Sequence, residues 1–141
     1  MFELPVIRHQ LIELHETRRD IVQVAELSFY ILTHLNVHDK VQTRAVCINR
    51  YNLFKALERG IPLDLIANIH SFIEHGLILR EHERPSSFIV STTWKATGRR
   101  IKIACKIARG GYEIWISSIH LTRQKQTKSL VHRGIIIQSH K

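Results

Sequence analysis

Past residue 83 the chain holds a single acid, Glu113, against twelve Lys and Arg. Two-metal nuclease chemistry gathers several carboxylates, and one acid does not supply them. No clustered carboxylate pair, Walker-type loop, dinucleotide fingerprint or nucleophile elbow occurs either. The two cysteines, Cys47 and Cys105, lack CxxC spacing and sit in apolar-patterned segments. They are expected as buried free thiols in a reducing compartment, not as a disulfide. Long apolar runs are missing too. The longest apolar-rich stretch, Ile21 to Leu35, is broken by Gln23, Glu26, Ser28 and His34, too short and polar for a bilayer span. The start Met1-Phe2-Glu3 has no basic run and no apolar stretch, so a signal peptide is not expected. The expected address is cytoplasmic.

What is present is charge of one sign. The first 83 residues carry nine Lys and Arg against eleven acids, so the whole +9 comes from the second part of the chain. A half that basic repels itself when compact, and it points to a polyanionic partner. RNA is the expected one, because the charge falls in strand-like segments. The 141 residues are 44% hydrophobic, enough for one domain with its own core. That domain divides into a helical part, 1–76, and a basic antiparallel sheet with its tail, 77–141.

The periodicities predict this division. Pro5 suits a first helical turn, and Ile7, Leu11 and Leu14 follow at helical spacing. Thr17 with Asp20 resembles a capping box ahead of a helix over Ile21 to Leu35. A polar break at Asn36 to Lys40 precedes a helix from Gln42 to Arg59, stopped by Gly60. A further helix runs from Pro62 to Gly76, with Leu63, Ile66, Ile69, Phe72 and Ile73 inward. The period then becomes two. Leu77–His82, Phe88–Trp94, Arg100–Ala108 and Tyr112–Leu121 read as strands, separated by Pro85-Ser86, Thr97-Gly98 and Gly110-Gly111. Gly134 to Ile137 adds an edge strand. The expected fold is α+β, with N-terminal helices packed on a C-terminal twisted antiparallel sheet of four to five strands.

Two surfaces carry the functional expectation. In the strand Arg100 to Ala108, Ile101, Ile103, Cys105 and Ile107 share one face, which leaves Arg100, Lys102 and Lys106 on the other. Cations two residues apart, roughly 6–7 Å, match successive phosphates of a single strand. Arg99 adjoins them, and Arg123, Lys125 and Lys128 extend the basic line. Trp94, Tyr112 and Trp115 are candidates for base stacking. On the Gln42–Arg59 helix, Arg44, Tyr51, Lys55 and Arg59 fall on one face with no acid along it. Metal-free RNA cleavage needs a base, an acid and cations around the phosphorane. The chain has ten histidines, and His120, at a strand end among basic neighbours, is the preferred catalyst. His75 is a second candidate, His70 reads as a structural residue at the core edge, and Tyr51 or Tyr112 could replace a histidine. His34 and His38 with Asp39 lack a clear fourth ligand, so no metal site and no cofactor is expected.

The run Tyr51-Asn-Leu-Phe-Lys55-Ala-Leu-Glu-Arg59-Gly-Ile61 resembles the His-xxx-Arg-xxx-Arg-Gly-Ile helix of RelE-superfamily ribonucleases, closest to the phage RegB type. Glu113 to Thr127 resembles that family's last strand and basic tail. Tyr51 stands where the family has His, Lys55 replaces its first Arg, and Arg59 matches. His70 and His75 lie near the place of another functional His, out of register by a residue or more. The resemblance implies a small, toxin-like endoribonuclease acting on mRNA, on the ribosome in some members, without a metal, with a cyclic phosphate product and an acidic protein partner. Two other classes stay open. One is a non-catalytic nucleic-acid-binding regulator; the other is an inhibitor binding an acidic host protein or ribosomal surface.

Overall fold

Two β-branched runs expected in helices are strands. Ile21–Glu26 forms β1 and Ala45–Asn49 forms β2, paired antiparallel with Val22 opposite Ile48. The buried positions Val22 and Val24, and Val46 and Ile48, alternate along them, which is the period of a pleated strand. Val and Ile lose rotamer freedom in a helix and pack well on a sheet, so pairing overrides the helical spacing. The structure, a computed structural model, describes residues 2–35, 41–81, 86–122 and 134–139.

The helices are correspondingly shorter than expected. Helix α1 spans Leu4–His15 with Pro5 in its first turn. Thr17 does not open the next helix. It ends α1 in the left-handed conformation (φ 64°), with Thr17 N–H donating to Leu14 O and Arg18 N–H to Glu13 O. That is the double closure that satisfies the last carbonyls of a helix. Helix α2 covers only Phe29–Leu35. Helix α3, Arg50–Glu58, begins where β2 stops, because the Asn49 side chain accepts the Asn52 N–H at 2.9 Å as an N-cap. It ends as expected at Gly60 (φ 82°), where Gly60 N–H donates to Leu57 O and Ile61 N–H to Ala56 O, both at 3.0 Å. The single helix expected before Gly76 is two, α4 at Leu63–Ala67 and α5 at Ile69–His75.

The second half follows its alternation closely. Strands β3 (Leu77–Glu81), β4 (Ser87–Trp94), β5 (Arg99–Ala108) and β6 (Glu113–Thr122) form a meander, and β7 (Gly134–Gln138) pairs with β3 at the edge. The sheet, however, has seven strands in the order β1-β2-β6-β5-β4-β3-β7. It is also mixed, since β2 runs parallel to β6 through Val46 opposite Ile114 and Cys47 opposite Trp115. The expectation of helices followed by a four- to five-stranded antiparallel sheet is therefore corrected. Its error lies in β1 and β2, whose strand-forming residues were counted as helix.

Helices cover one face of this sheet. Ile101, Ile103, Cys105 and Ile107 of β5 join Leu11, Leu53, Leu65 and Ile69 in one buried core. Leu77, Leu79 and Ile89 form a separate small cluster, on the face that the strand alternation turns away from the helices. Cys105 is fully buried and Cys47 half-buried, and both are free thiols. Burial raises the pKa of each, with Glu113 adding to the effect at Cys47, so neither has thiolate reactivity at neutral pH. No helix among the described residues is long and apolar enough to cross a membrane.

The α5–β3 junction holds the layers together. Gln138, buried at the end of β7, donates its amide to Ile73 O at 2.8 Å and Gly76 O at 2.9 Å, satisfying carbonyls that the helix end leaves open. Gly76 itself lies against the sheet. A Cβ there would meet Phe72 O at 2.5 Å and Val90 Cγ1 at 3.2 Å. Gly76→Ala is expected to destabilise the fold by about 1–3 kcal/mol through overpacking, measured as a lower urea midpoint with unchanged slope.

Candidate nucleic-acid interface

Strand register builds a polar surface on the face away from the helices. Leu77, Ser91, Lys102 and His120 lie side by side across β3, β4, β5 and β6. The next rung along the strands holds Thr93, Arg100 and Thr122. Adjacent rungs on one face are two residues, roughly 6–7 Å, apart. Arg100 is held in the rung by hydrogen bonds from Nη1 to Thr93 Oγ1 at 3.1 Å and from Nη2 to Ser91 Oγ at 3.0 Å. Burial lowers its pKa from the ordinary arginine value, yet a guanidinium stays charged. Two polar atoms of this rung, Arg100 Nε and Thr122 Oγ1, are buried with no hydrogen-bond partner among the described residues.

Helix α3 completes the surface from the side. Strand β2 meets β6 only at Val46 and Cys47, and the chain leaves Asn49 directly into α3, which packs along β6. Leu53 and Ala56 turn inward. Lys55 and Arg59, spaced one helical turn apart, then stand close enough for their charges to act on His120. The Schellman closure at Gly60 and Ile61 fixes Arg59 at the C-cap, where a cation also complements the helix dipole. Lys55 Nζ additionally sits 5.3 Å from the Tyr51 ring centroid.

Partial burial, then the charges of Arg59, Lys102 and Lys55, hold the His120 pKa below its ordinary value. Both causes disfavour the imidazolium. His120 is therefore neutral at neutral pH, with a lone pair available to accept a proton.

The cations of this surface differ from others of the chain in their partners. On the helical side Arg8 pairs with Asp64, Arg18 with Glu16, Arg19 with Glu13 and Arg44 with Glu26. Among the described residues, none of Lys55, Arg59, Arg100, Lys102 and Lys106 has a carboxylate partner. The positive potential of this face is left uncompensated for a ligand to meet.

The structure thus brings together His120, Arg59, Lys55, Lys102 and Arg100, and separates the remaining candidates from them. Arg44 is not on α3. It precedes β2, donates from Nε to Leu27 O at 2.7 Å, pairs with Glu26 at 3.1 Å and covers the Phe29 ring at 3.9 Å, so it serves the α2 junction. Tyr51 lies on α3 and is 68% exposed, joined to the group through Lys55. Lys106 is exposed on the same face, four residues along from Lys102. Arg99 starts β5 on the opposite alternation, next to Trp94. His75 belongs to the helical layer, where its Nδ1–H donates to Ser71 O at 3.0 Å. His70 is structural: it accepts the Glu26 N–H at 3.1 Å, faces Glu74 through Nε2 and stacks on Phe2. Trp115 is half-buried and donates to Glu113 at 3.1 Å, whereas Tyr112 is exposed. Arg123, Lys125, Lys128, His38 and Asp39 lie outside the described residues. No group of three or more His, Cys, Asp or Glu side chains gathers among the described residues.

Ser91 and Thr93, which seat Arg100, and Thr122, which lies opposite it, were not among the expected site residues. Strand alternation puts Ser91 and Thr93 on one face, but only the cross-strand register shows that they neighbour the cations. No family model, curated protein or solved structure matches the chain.

Proposed function

We propose that this protein binds RNA across the β5–β6 face and cleaves it without a metal ion, with His120 as the general base. The observation that carries the reading is a strand-end histidine on which the charges of Arg59, Lys102 and Lys55 act, none of those cations having a carboxylate partner among the described residues. In this mechanism Arg100, Lys102 and Arg59 hold successive phosphates. Neutral His120 takes the proton of a ribose 2′-OH, and the oxygen attacks the neighbouring phosphorus. Lys102, Arg59 and Lys55 stabilise the charge that grows on the phosphorane. The 5′-oxygen departs, leaving a 2′,3′-cyclic phosphate. The resemblance to RelE-type ribonucleases, with mRNA on the ribosome as substrate and an acidic protein as partner, is part of this proposal through Arg59 alone. Its helices-then-sheet order is not the observed one, and His120 was not supplied by it.

The charged groups that act on His120 are Arg59, Lys102 and Lys55, so the departing oxygen takes its proton from a lysine or from water. The same observation favours a second reading, a non-catalytic RNA-binding regulator on the same face. The test is to incubate the purified protein with end-labelled cellular and ribosome-bound mRNA, with and without EDTA. Discrete EDTA-resistant cuts ending in cyclic phosphate are expected. Intact but retarded RNA supports the regulator instead. RNA that is neither cut nor retarded removes both readings and turns the search to an acidic protein surface.

A further inference from the structure

Between α4–α5 and the β4–β5 hairpin lies an open cleft of about 760 Å³, lined in part by Asn68, Ser71, Phe72, His75, Trp94 and Arg100. A volume of this size takes a nucleotide-sized ligand. Its lining combines aromatic surface with groups that read hydrogen bonds. Trp94 and Phe72 pack against the core but are only half-buried, so each presents part of its ring surface. Asn68 uses one amide hydrogen on Asp64 O at 2.8 Å, which leaves its carbonyl oxygen and second N–H free to pair. His75 donates from Nδ1 to the Ser71 carbonyl. A carbonyl only accepts, so Nδ1 carries the hydrogen and Nε2 is the atom left to pair.

Arg100 connects this cleft to the basic face. It borders the cleft and also stands one rung from Lys102 and His120. A phosphate held at Arg100 therefore belongs to a nucleotide next to the one at Lys102, since the rung spacing matches the phosphate spacing of a single strand. The base of that nucleotide has an aromatic cleft within reach. A paired duplex cannot offer it, because its bases stay stacked on one another.

We propose that the cleft receives one unpaired nucleobase of the bound RNA, stacked on Trp94 and hydrogen-bonded by Asn68 and His75, which makes single-stranded RNA the substrate class. The inference rests on the RNA reading above and adds to it the base-binding subsite and the preference for unpaired strand.

Trp94 reports on this directly. In a Trp115→Phe background it is the sole tryptophan, so its emission can be followed while a short oligouridylate, or the same oligomer made abasic, is added. Binding is read independently by fluorescence anisotropy of a labelled end. The intact oligomer is expected to quench Trp94, and the abasic one to bind more weakly and leave the emission unchanged. Trp94→Ala is expected to weaken the intact oligomer about 5- to 100-fold and the abasic one not at all. If both oligomers bind equally, with Trp94 unquenched and Trp94→Ala without effect, the base subsite is overturned and RNA binding stands. If neither oligomer raises the anisotropy, the RNA reading itself is overturned, and the subsite with it.

Discussion

His120→Ala lowers the rate of RNA cleavage by about 10²- to 10⁴-fold, the usual contribution of a positioned general base, while RNA affinity stays within a few-fold. The separation follows from the electrostatics. A neutral His120 adds no charge to the face, so its loss removes proton transfer and not phosphate binding. The pH profile supplies the sign. Burial and the neighbouring cations lower the His120 pKa in the free protein, so kcat/KM rises with pH through a midpoint below about 6.5, the ordinary histidine value. Bound phosphate offsets those cations and raises the pKa, which moves the corresponding limb of kcat to higher pH. Single-turnover cleavage of an end-labelled RNA across pH 4.5 to 8 checks both. Equal losses of rate and affinity in His120→Ala would assign the residue to binding.

The second large effect is on affinity. Replacing Lys55, Arg59 and Lys102 together with Ala is expected to weaken RNA binding by at least about a hundredfold at low salt, from the net worth of three charge-assisted contacts. The slope of log K against log salt should fall by about 2, since each phosphate contact contributes roughly 0.7 on a single strand. Arg8→Ala and Arg18→Ala are the controls. Both residues are already paired with acids on the helical side, and neither variant should change the slope. Filter binding across a range of salt concentrations measures all three. A triple variant with the parental slope would place the RNA elsewhere on the molecule.

The basic face was legible in the sequence because strand alternation is a local property. Ile101, Ile103, Cys105 and Ile107 mark the buried side of β5, and Arg100 and Lys102 follow on the other. The four strands of the meander were legible for the same reason, with Gly98, Gly110 and Gly111 at positive φ in the turns between them. The first half was harder. Ile21–Glu26 and Ala45–Asn49 carry apolar residues close enough to helical spacing to be absorbed into neighbouring helices, and what makes them strands is pairing with each other and with β6. Asn49, a good N-cap, and the β-branched Val46 and Ile48 were the available signals that α3 begins late. Thr17 gave no such signal, because a threonine in the left-handed region is unusual and its role at the end of α1 depends on backbone closure.

The site itself was half legible. Lys55 and Arg59 were placed on one helical face, and Lys102 and His120 at strand positions, from spacing alone. Their convergence depends on β2 stopping at Asn49, so that α3 takes the place beside β6 that a longer strand would occupy. Arg44 failed for the complementary reason: a helix running from Gln42 would have put it in line with Lys55, and the strand put it with Glu26 instead.

The measurement that tests the central claim most directly is an NMR titration of the His120 imidazole, free and with a non-cleavable 2′-deoxy-substituted RNA bound. The account predicts a pKa below about 6.5 in the free protein and an upward shift on binding, as phosphates meet the cations that depress it, with proton uptake on binding between the two values. A His120 pKa that is the same with and without bound RNA would contradict the account, because no phosphate would then lie at this face.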